Sequence, residues 1–244
     1  MLGKGPEKDG ITIDFHSHML PGMDDGAKNN RESVEMLRSA ARQGVRVQAL
    51  TPHYYPWRES TESFLERRDA SLRKLNTKID DTLPELLIEA EAAFFPAMTE
   101  QELSPLCLDG ESLLLVELPF ESWGNQVSDV LATLTLDRGY RVILAHVERY
   151  MGYGDNTERL LSLQNLPVTM QMNCGAFLPL FRLGKAFSLA KRLGEVVLGT
   201  DAHNMEDRAP NMEKGRAALS RRLGENFLRR IDRRGEALLS GSGD

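Results

Sequence analysis

Ile11-Thr12-Ile13-Asp14-Phe15-His16-Ser17-His18 is a short run of β-branched and aromatic residues that ends in two histidines one residue apart. Its first half reads as a buried strand. Six further runs rich in Val, Ile and Leu follow, at about 45–50, 86–91, 113–118, 141–145, 168–172 and 195–200. Stretches of helical periodicity separate most of them. In Arg31 to Gln43, Val34, Leu37 and Ala41 recur at spacings of three and four on one face, with Asn29 or Asn30 placed to cap the helix. Three joints repeat one pattern of helical segment, glycine and strand: Gln43-Gly44-Val45, Arg138-Gly139-Tyr140 and Leu193-Gly194-Glu195. Glycine there suits a left-handed helix terminus. Strand and helix alternating about seven times predicts parallel strands with right-handed crossovers, as in a TIM-type barrel or an open doubly wound sheet. We expect the barrel, with seven strands.

The 244 residues suit one such α/β domain, expected over 11–239, with a flexible extension at 1–10 and a frayed tail at 240–244. With 41% hydrophobic and 27% charged residues, the chain is neither disordered nor fibrous. It has no apolar run of the roughly 18 residues that a spanning helix needs, so no insertion into a membrane is expected. The opening MLGKGPEKDG lacks the apolar centre of a secretory signal, which predicts a cytoplasmic protein. A net charge of -6 argues against nucleic acid as a partner held by broad phosphate neutralisation. Cys107 and Cys174 lack the paired spacing of a zinc knuckle or redox motif and are expected as reduced thiols. The basic residues between Lys214 and Arg234 alternate with apolar ones at helical spacing and read as the solvent faces of amphipathic helices.

The polar residues that follow each run carry the functional reading, because parallel α/β folds build their sites at the carboxyl ends of strands. Strand one runs into His16 and His18, strand two into His53 and strand five into His146. Strand three ends at Glu91, strand four holds Glu117 near its end, strand six ends at Asn173, and strand seven runs into Asp201 and His203. All five histidines of the chain therefore fall at strand ends. Neutral imidazole and carboxylate are the usual ligands of zinc, iron and manganese. Asp25, in the loop Gly22-Met23-Asp24-Asp25-Gly26, is placed to swing back among them. The candidate ligands are thus His16, His18, Asp25, His53, Glu91, Glu117, His146, Asp201 and His203.

Nine ligands exceed what one ion takes. At three or four protein ligands per ion with one bridging carboxylate, they suit two or three divalent cations, of which three is the expectation. Four carboxylates offset only part of the charge of three dications, which leaves the site suited to a phosphate dianion. Arg149 and Arg208, close after His146 and His203, are candidate phosphate-binding groups, since guanidinium grips phosphate oxygens in pairs. Tyr54, Tyr55 and Trp57 after His53, with Phe94, Phe95 and Phe120 after the carboxylates, suggest an aromatic rim suited to an aryl substrate.

Other chemistries recede. A cysteine phosphatase needs a thiolate whose tight anion loop closes on an arginine, but the first arginine after Cys174 is Arg182 and Cys107 has none nearby. Walker, Gly-x-Gly-x-x-Gly and Gly-x-Ser-x-Gly loops are absent.

Asp14-Phe15-His16-Ser17-His18, Asp24-Asp25-Gly26, His146-Val147-Glu148-Arg149-Tyr150 and Asp201-Ala202-His203-Asn204 together resemble the polymerase-and-histidinol-phosphatase (PHP) superfamily. Within it, the chain from about 11 to about 215 is similar to the manganese-dependent protein-tyrosine phosphatases of bacterial capsule and exopolysaccharide clusters. The resemblance implies a distorted TIM-like (β/α)7 barrel with three divalent metals, manganese above iron or zinc. It implies that His16, His18, Glu91 and Asp201 hold one metal, Glu91, Glu117 and His146 a second, and Asp25, His53 and His203 the third. Arg149 and Arg208 take the phosphate-binding positions. The implied partner is an autophosphorylated, membrane-associated bacterial tyrosine kinase that regulates polysaccharide export. Rival readings are another phosphoesterase of the superfamily, acting on histidinol phosphate or nucleic acid, and a non-catalytic metal-binding regulator. Thr51-Pro52 before His53 and Ala92-Ala93-Phe94-Phe95 depart from the family pattern, and both bear on substrate fit.

Overall fold

A computed structural model describes residues 10–108, 112–178 and 183–241. Of the expected flexible ends, residues 1–9 and 242–244 lie outside the described residues. Among the described residues, nine strand segments, every pair parallel, follow the seven apolar runs: β1 (Ile13–Asp14), β2 (Val47–Leu50), β3 (His53–Tyr54), β4 (Glu85–Ile88), β5 (Glu91–Ala93), β6 (Leu113–Glu117), β7 (Arg141–Leu144), β8 (Val168–Asn173) and β9 (Val197–Gly199). Two staves are each built of two segments. Pro52, which has no N–H for the ladder, separates β2 from β3, and Glu89-Ala90 separates β4 from β5. Glu91 therefore opens the second half of its stave, where the sequence had suggested a strand end.

Hydrogen bonding orders the segments β1-β2-β4 and β3-β5-β6-β7-β8-β9. The last stave returns to the first through Phe15 N–H to the Leu198 carbonyl at 3.0 Å and Asp201 N–H to the His16 carbonyl at 2.8 Å. Seven staves in a curled parallel sheet result, as expected, and the splits are its distortion.

Seven α-helices, α1 (Asn30–Arg42), α2 (Thr61–Asn76), α3 (Asn125–Ala132), α4 (Asn156–Ser162), α5 (Leu183–Leu193), α6 (Met212–Leu223) and α7 (Glu225–Leu239), accompany the described strands. Asn29 caps α1, its side-chain oxygen accepting from the Glu32 N–H at 3.1 Å. Gly44, Gly139 and Gly194 take φ of 85°, 73° and 73°, the left-handed conformation expected at the three helix-to-strand joints. Most of the apolar core lies where helices pack on the sheet. A smaller cluster, including Ile13, Val47, Leu115, Ile143 and Val197, is contributed by the strands and closed by Leu238 of α7. Of the basic C-terminal residues, Arg216 turns inward and grips Asp232 with two bonds of 2.6 and 2.8 Å, joining α6 to α7.

Candidate metal centre

The first two histidines are aimed by the residue between them. Ser17 N–H donates to Thr51 Oγ1 at 3.1 Å, and the Ser17 hydroxyl donates to the Ala49 carbonyl at 2.6 Å, so His16 and His18 both project to the opposite side. The following loop is folded tightly back on them. A Cβ at Gly26 would lie 2.0 Å from the His18 carbonyl oxygen, so only glycine fits there. The turn buries Asp24, whose Oδ2 accepts from His18 Nδ1 at 2.8 Å and from the His53 N–H at 2.9 Å, and leaves the Asp25 side chain 66% exposed at the rim. Strand register then sets His53 opposite Glu91 and Ala93 opposite Glu117. His146 and Asp201, just past β7 and β9, adopt φ of 31° and 52° and are the only described non-glycine residues in that region. Backbone of this kind costs about 1–3 kcal/mol per residue and gathers at functional sites.

All nine sequence candidates meet here. Glu91 is central: Oε2 lies 3.3 Å from His16 Nε2, 3.4 Å from His18 Nε2 and 2.8 Å from His53 Nδ1, and Oε1 lies 3.0 Å from His146 Nε2. Glu117 Oε1 is 3.3 Å from His146 Nε2. Asp201 Oδ1 is 3.5 Å from His18 Nε2, and Asp25 Oδ1 is 3.4 Å from His203 Nε2. Their donor atoms form three compact groups: His18, Asp25, His53 and His203; His16, His18 and Glu91; and His53, Glu91 and Glu117.

The proton placement on these rings fits cations. His16 Nδ1 meets the Gln171 amide oxygen at 3.0 Å, His18 Nδ1 meets Asp24, and His203 Nδ1 meets the Asp201 carbonyl at 2.9 Å. Each acceptor holds a proton on Nδ1, which turns the Nε2 lone pair inward. The Nε2 atoms of His16 and His18 consequently face each other at 3.1 Å. Glu91 Oε2 and His203 Nε2 are buried without a hydrogen-bond partner. Lone pairs converging at such range repel unless a cation or a proton lies between them, and the mixed nitrogen and oxygen set suits divalent ions.

Titration follows from this geometry. Burial by itself would lower the pKa of His146, but Glu117 and Glu91 raise it to about 9. Burial opposes ionisation of Asp24, yet the charge of His18 beside it brings the carboxyl down to about 2. His203 is pushed down to about 4 by burial and by the neighbouring His18 charge. The raised His18 and His146 favour protonated rings at neutral pH, and a cation bound here would compete with those protons.

A cavity of about 420 Å³ opens over Asp25, His53, Glu91, Glu117, His146 and Asp201. Both candidate arginines reach it. Arg208 lies 2.8 Å from Asp201 Oδ1, and Arg149 stands 3.7 Å from Asp201 Oδ2 with its guanidinium 4.4 Å above the Phe120 ring. Four of the six aromatics proposed for the rim, Tyr55, Trp57, Phe94 and Phe120, line the cavity. Tyr54 instead packs edge-on against Phe64 with ring centroids 5.2 Å apart, and Phe95 packs on the core. Cys107 and Cys174 are buried free thiols away from the cavity, and burial pushes Cys107 up to about 12. No described thiolate is available as a nucleophile.

The supporting residues were not among the candidates. Gln171 takes the His16 contact and the His146 N–H at 2.7 Å on one oxygen, its amide donates to Asn173 at 2.9 Å, and Asn173 donates to Asp201 Oδ2 at 2.9 Å. Their signal is period two: Gln171 and Asn173 are polar on one face of a strand that is otherwise largely apolar.

The sequence matches, over residues 12–238, the family described as capsular polysaccharide synthesis, CpsB/CapC. Tyrosine-protein phosphatase YwqE of Bacillus subtilis (strain 168) is 30% identical over 236 residues, covering 93% of this chain and 91% of that protein. Tyrosine-protein phosphatase CpsB of Streptococcus pneumoniae is 24% identical, covering 87% of this chain and 91% of its own. A crystal structure from work on YwqE of Bacillus subtilis and CpsB of Streptococcus pneumoniae, described as unique metal-dependent tyrosine phosphatases, superposes with a TM-score of 0.81. It is 25% identical and covers 95% of this chain and 96% of that one.

Proposed function

Because the chain belongs to the CpsB/CapC family of capsular polysaccharide synthesis proteins, we propose that the cavity over its nine histidine and carboxylate side chains is the active site of a metal-dependent protein-tyrosine phosphatase. The activity is hydrolysis of tyrosine phosphate, as in its relatives. The observation that carries the site is the convergence of buried, inward-facing lone pairs at Glu91, His16, His18 and His203 beneath two arginines.

We assign three divalent ions, manganese foremost. His16, His18, Glu91 and Asp201 would hold one, Glu91, Glu117 and His146 the second, and Asp25, His53 and His203 the third. Ions held there would supply Lewis acidity and lower the pKa of a bound water toward neutrality. Arg149 and Arg208 bind the phosphate oxygens and hold phosphorus in line for displacement. Asp24, Gln171 and the Asp201 carbonyl fix the ring orientation of His18, His16 and His203. Tyr55, Trp57, Phe94 and Phe120 enclose the tyrosyl ring and exclude water from it. The tyrosine phenolate, with a free pKa of about 10, leaves without a strong general acid.

The protein substrate we assign is the phosphotyrosine of an autophosphorylated bacterial kinase regulating capsule and exopolysaccharide synthesis, met in the cytoplasm. Among the described residues no helix is long and apolar enough to cross a membrane. The reading is tested by the substrate profile of manganese-loaded protein. Phosphotyrosyl peptides are expected to exceed phosphoseryl peptides, histidinol phosphate and DNA in kcat/KM by at least about 100-fold, roughly 3 kcal/mol of transition-state discrimination. Preference for histidinol phosphate or DNA would replace it with another activity of the superfamily.

A further inference from the structure

A cationic trough leads away from the metal centre. Met23 and Arg67 border the Asp25, His53 and Tyr55 side of the centre, and the same two residues line a neighbouring cavity of about 650 Å³. Lys28, Arg31, Arg67 and Lys74 line that cavity and no carboxylate does, although the chain as a whole carries a net charge of -6. Arg67, Ala70, Ser71 and Lys74 recur at spacings of three and four, so one face of α2 supplies cations at both ends of a floor of small residues. The Ser71 hydroxyl donates to the Pro21 carbonyl at 2.6 Å, and the Asn30 amide donates to the Lys74 carbonyl at 3.1 Å, which fixes α2 against the loop and the start of α1. Arg67 is engaged by the Met23 carbonyl and by Glu59. Lys28, Arg31 and Lys74 are exposed, with no ion-pair partner among the described residues. Lys28 lies three residues beyond Asp25 on one loop, hence at most about 11 Å from it between Cα atoms.

We propose that this trough binds an acidic segment of the polypeptide substrate, a few residues from the phosphotyrosine held at Arg149 and Arg208. The inference rests on the phosphatase reading. A concave floor between charged walls suits an extended chain and not a flat membrane surface, and three cations without an ion-pair partner among the described residues, beside an Arg67 held by Glu59, select carboxylates or further phosphates.

The test compares manganese-loaded wild type with the triple variant Lys28→Gln, Arg31→Gln, Lys74→Gln. The substrates are p-nitrophenyl phosphate and two phosphotyrosyl peptides flanked by either Glu-rich or Gln-rich segments. For wild type at about 0.05 M salt, KM for the acidic peptide is expected about 5-fold below that for the neutral one, with the gap closing toward about 0.3 M salt. The triple variant loses the gap and keeps p-nitrophenyl phosphate turnover within about 2-fold, because its three positions are exposed and outside the metal cavity. Equal KM values in wild type, or an unchanged gap in the variant, overturn the proposal. Fluorescence anisotropy of the acidic peptide with phenylalanine in place of phosphotyrosine reads the same contrast without hydrolysis. If the phosphatase reading alone fails, hydrolysis is absent and the anisotropy contrast persists. Binding of phosphatidylglycerol vesicles that is lost in the variant, with no peptide contrast, overturns the proposal in favour of a membrane surface.

Discussion

Glu91→Gln is expected to lower turnover of a phosphotyrosyl peptide by about three orders of magnitude, and to reduce the metal that the protein retains. The size follows from what the carboxylate touches. Glu91 lies within 3.4 Å of His16, His18 and His53, and its other oxygen lies 3.0 Å from His146, so one side chain serves more than one ion of the proposed cluster. Glutamine keeps the shape but removes the charge and turns an N–H donor toward inward-facing lone pairs. A metal centre contributes several kcal/mol to transition-state stabilisation, and losing about 4 kcal/mol of it is a factor of about 10³. The measurements are kcat on manganese-loaded protein and metal content by mass spectrometry, with circular dichroism establishing that the variant folds. Near-normal turnover with full metal content would sink the central role of this residue.

Replacing either arginine is expected to separate the proposed binding of phosphate from that of metal. Arg149→Ala and Arg208→Ala are each expected to cut kcat/KM by about 10²-fold with metal content unchanged, the loss typical of removing one preorganised donor from a developing anion. Arg208→Lys is expected to recover only part of that, because a point charge cannot grip two oxygens in one plane. Together the double replacement should cost less than the product of the single ones if the two act on the same phosphate. A variant that loses metal as well as activity would reassign that arginine to supporting the cluster, which its contact with Asp201 makes a meaningful alternative.

Much of this is legible in the sequence, and for a definite reason. A parallel sheet buries both faces, so its strands stand out as continuous apolar runs, and the polar residue that follows each run is conspicuous by contrast. That contrast picks out His16, His18, His53, His146, Asp201 and His203. Glu91 was found but misplaced within its strand, because the break at Glu89-Ala90 carries no proline or glycine to announce it. Asp24 and Asp25 are adjacent and chemically identical, and only the turn closed by Gly26 decides which carboxylate supports His18 from within and which faces the cavity. Gln171 and Asn173 were invisible as ligand supports because an amide has no metal-ligand signature; their role depends on which staves become neighbours once the sheet curls. The aromatic rim divides for a similar reason: Tyr54 and Tyr55 alternate across β3 and its continuation, so one packs inward on Phe64 and the other stacks beside His53.

The most direct test of the account is to strip the protein of metal and titrate manganese back, recording ions bound per chain and hydrolysis of a phosphotyrosyl peptide on the same samples. The stripped protein is expected to show no turnover, and activity is expected to rise until about three ions are bound per chain. Turnover by the metal-free protein, or full activity with a single ion bound, would contradict it.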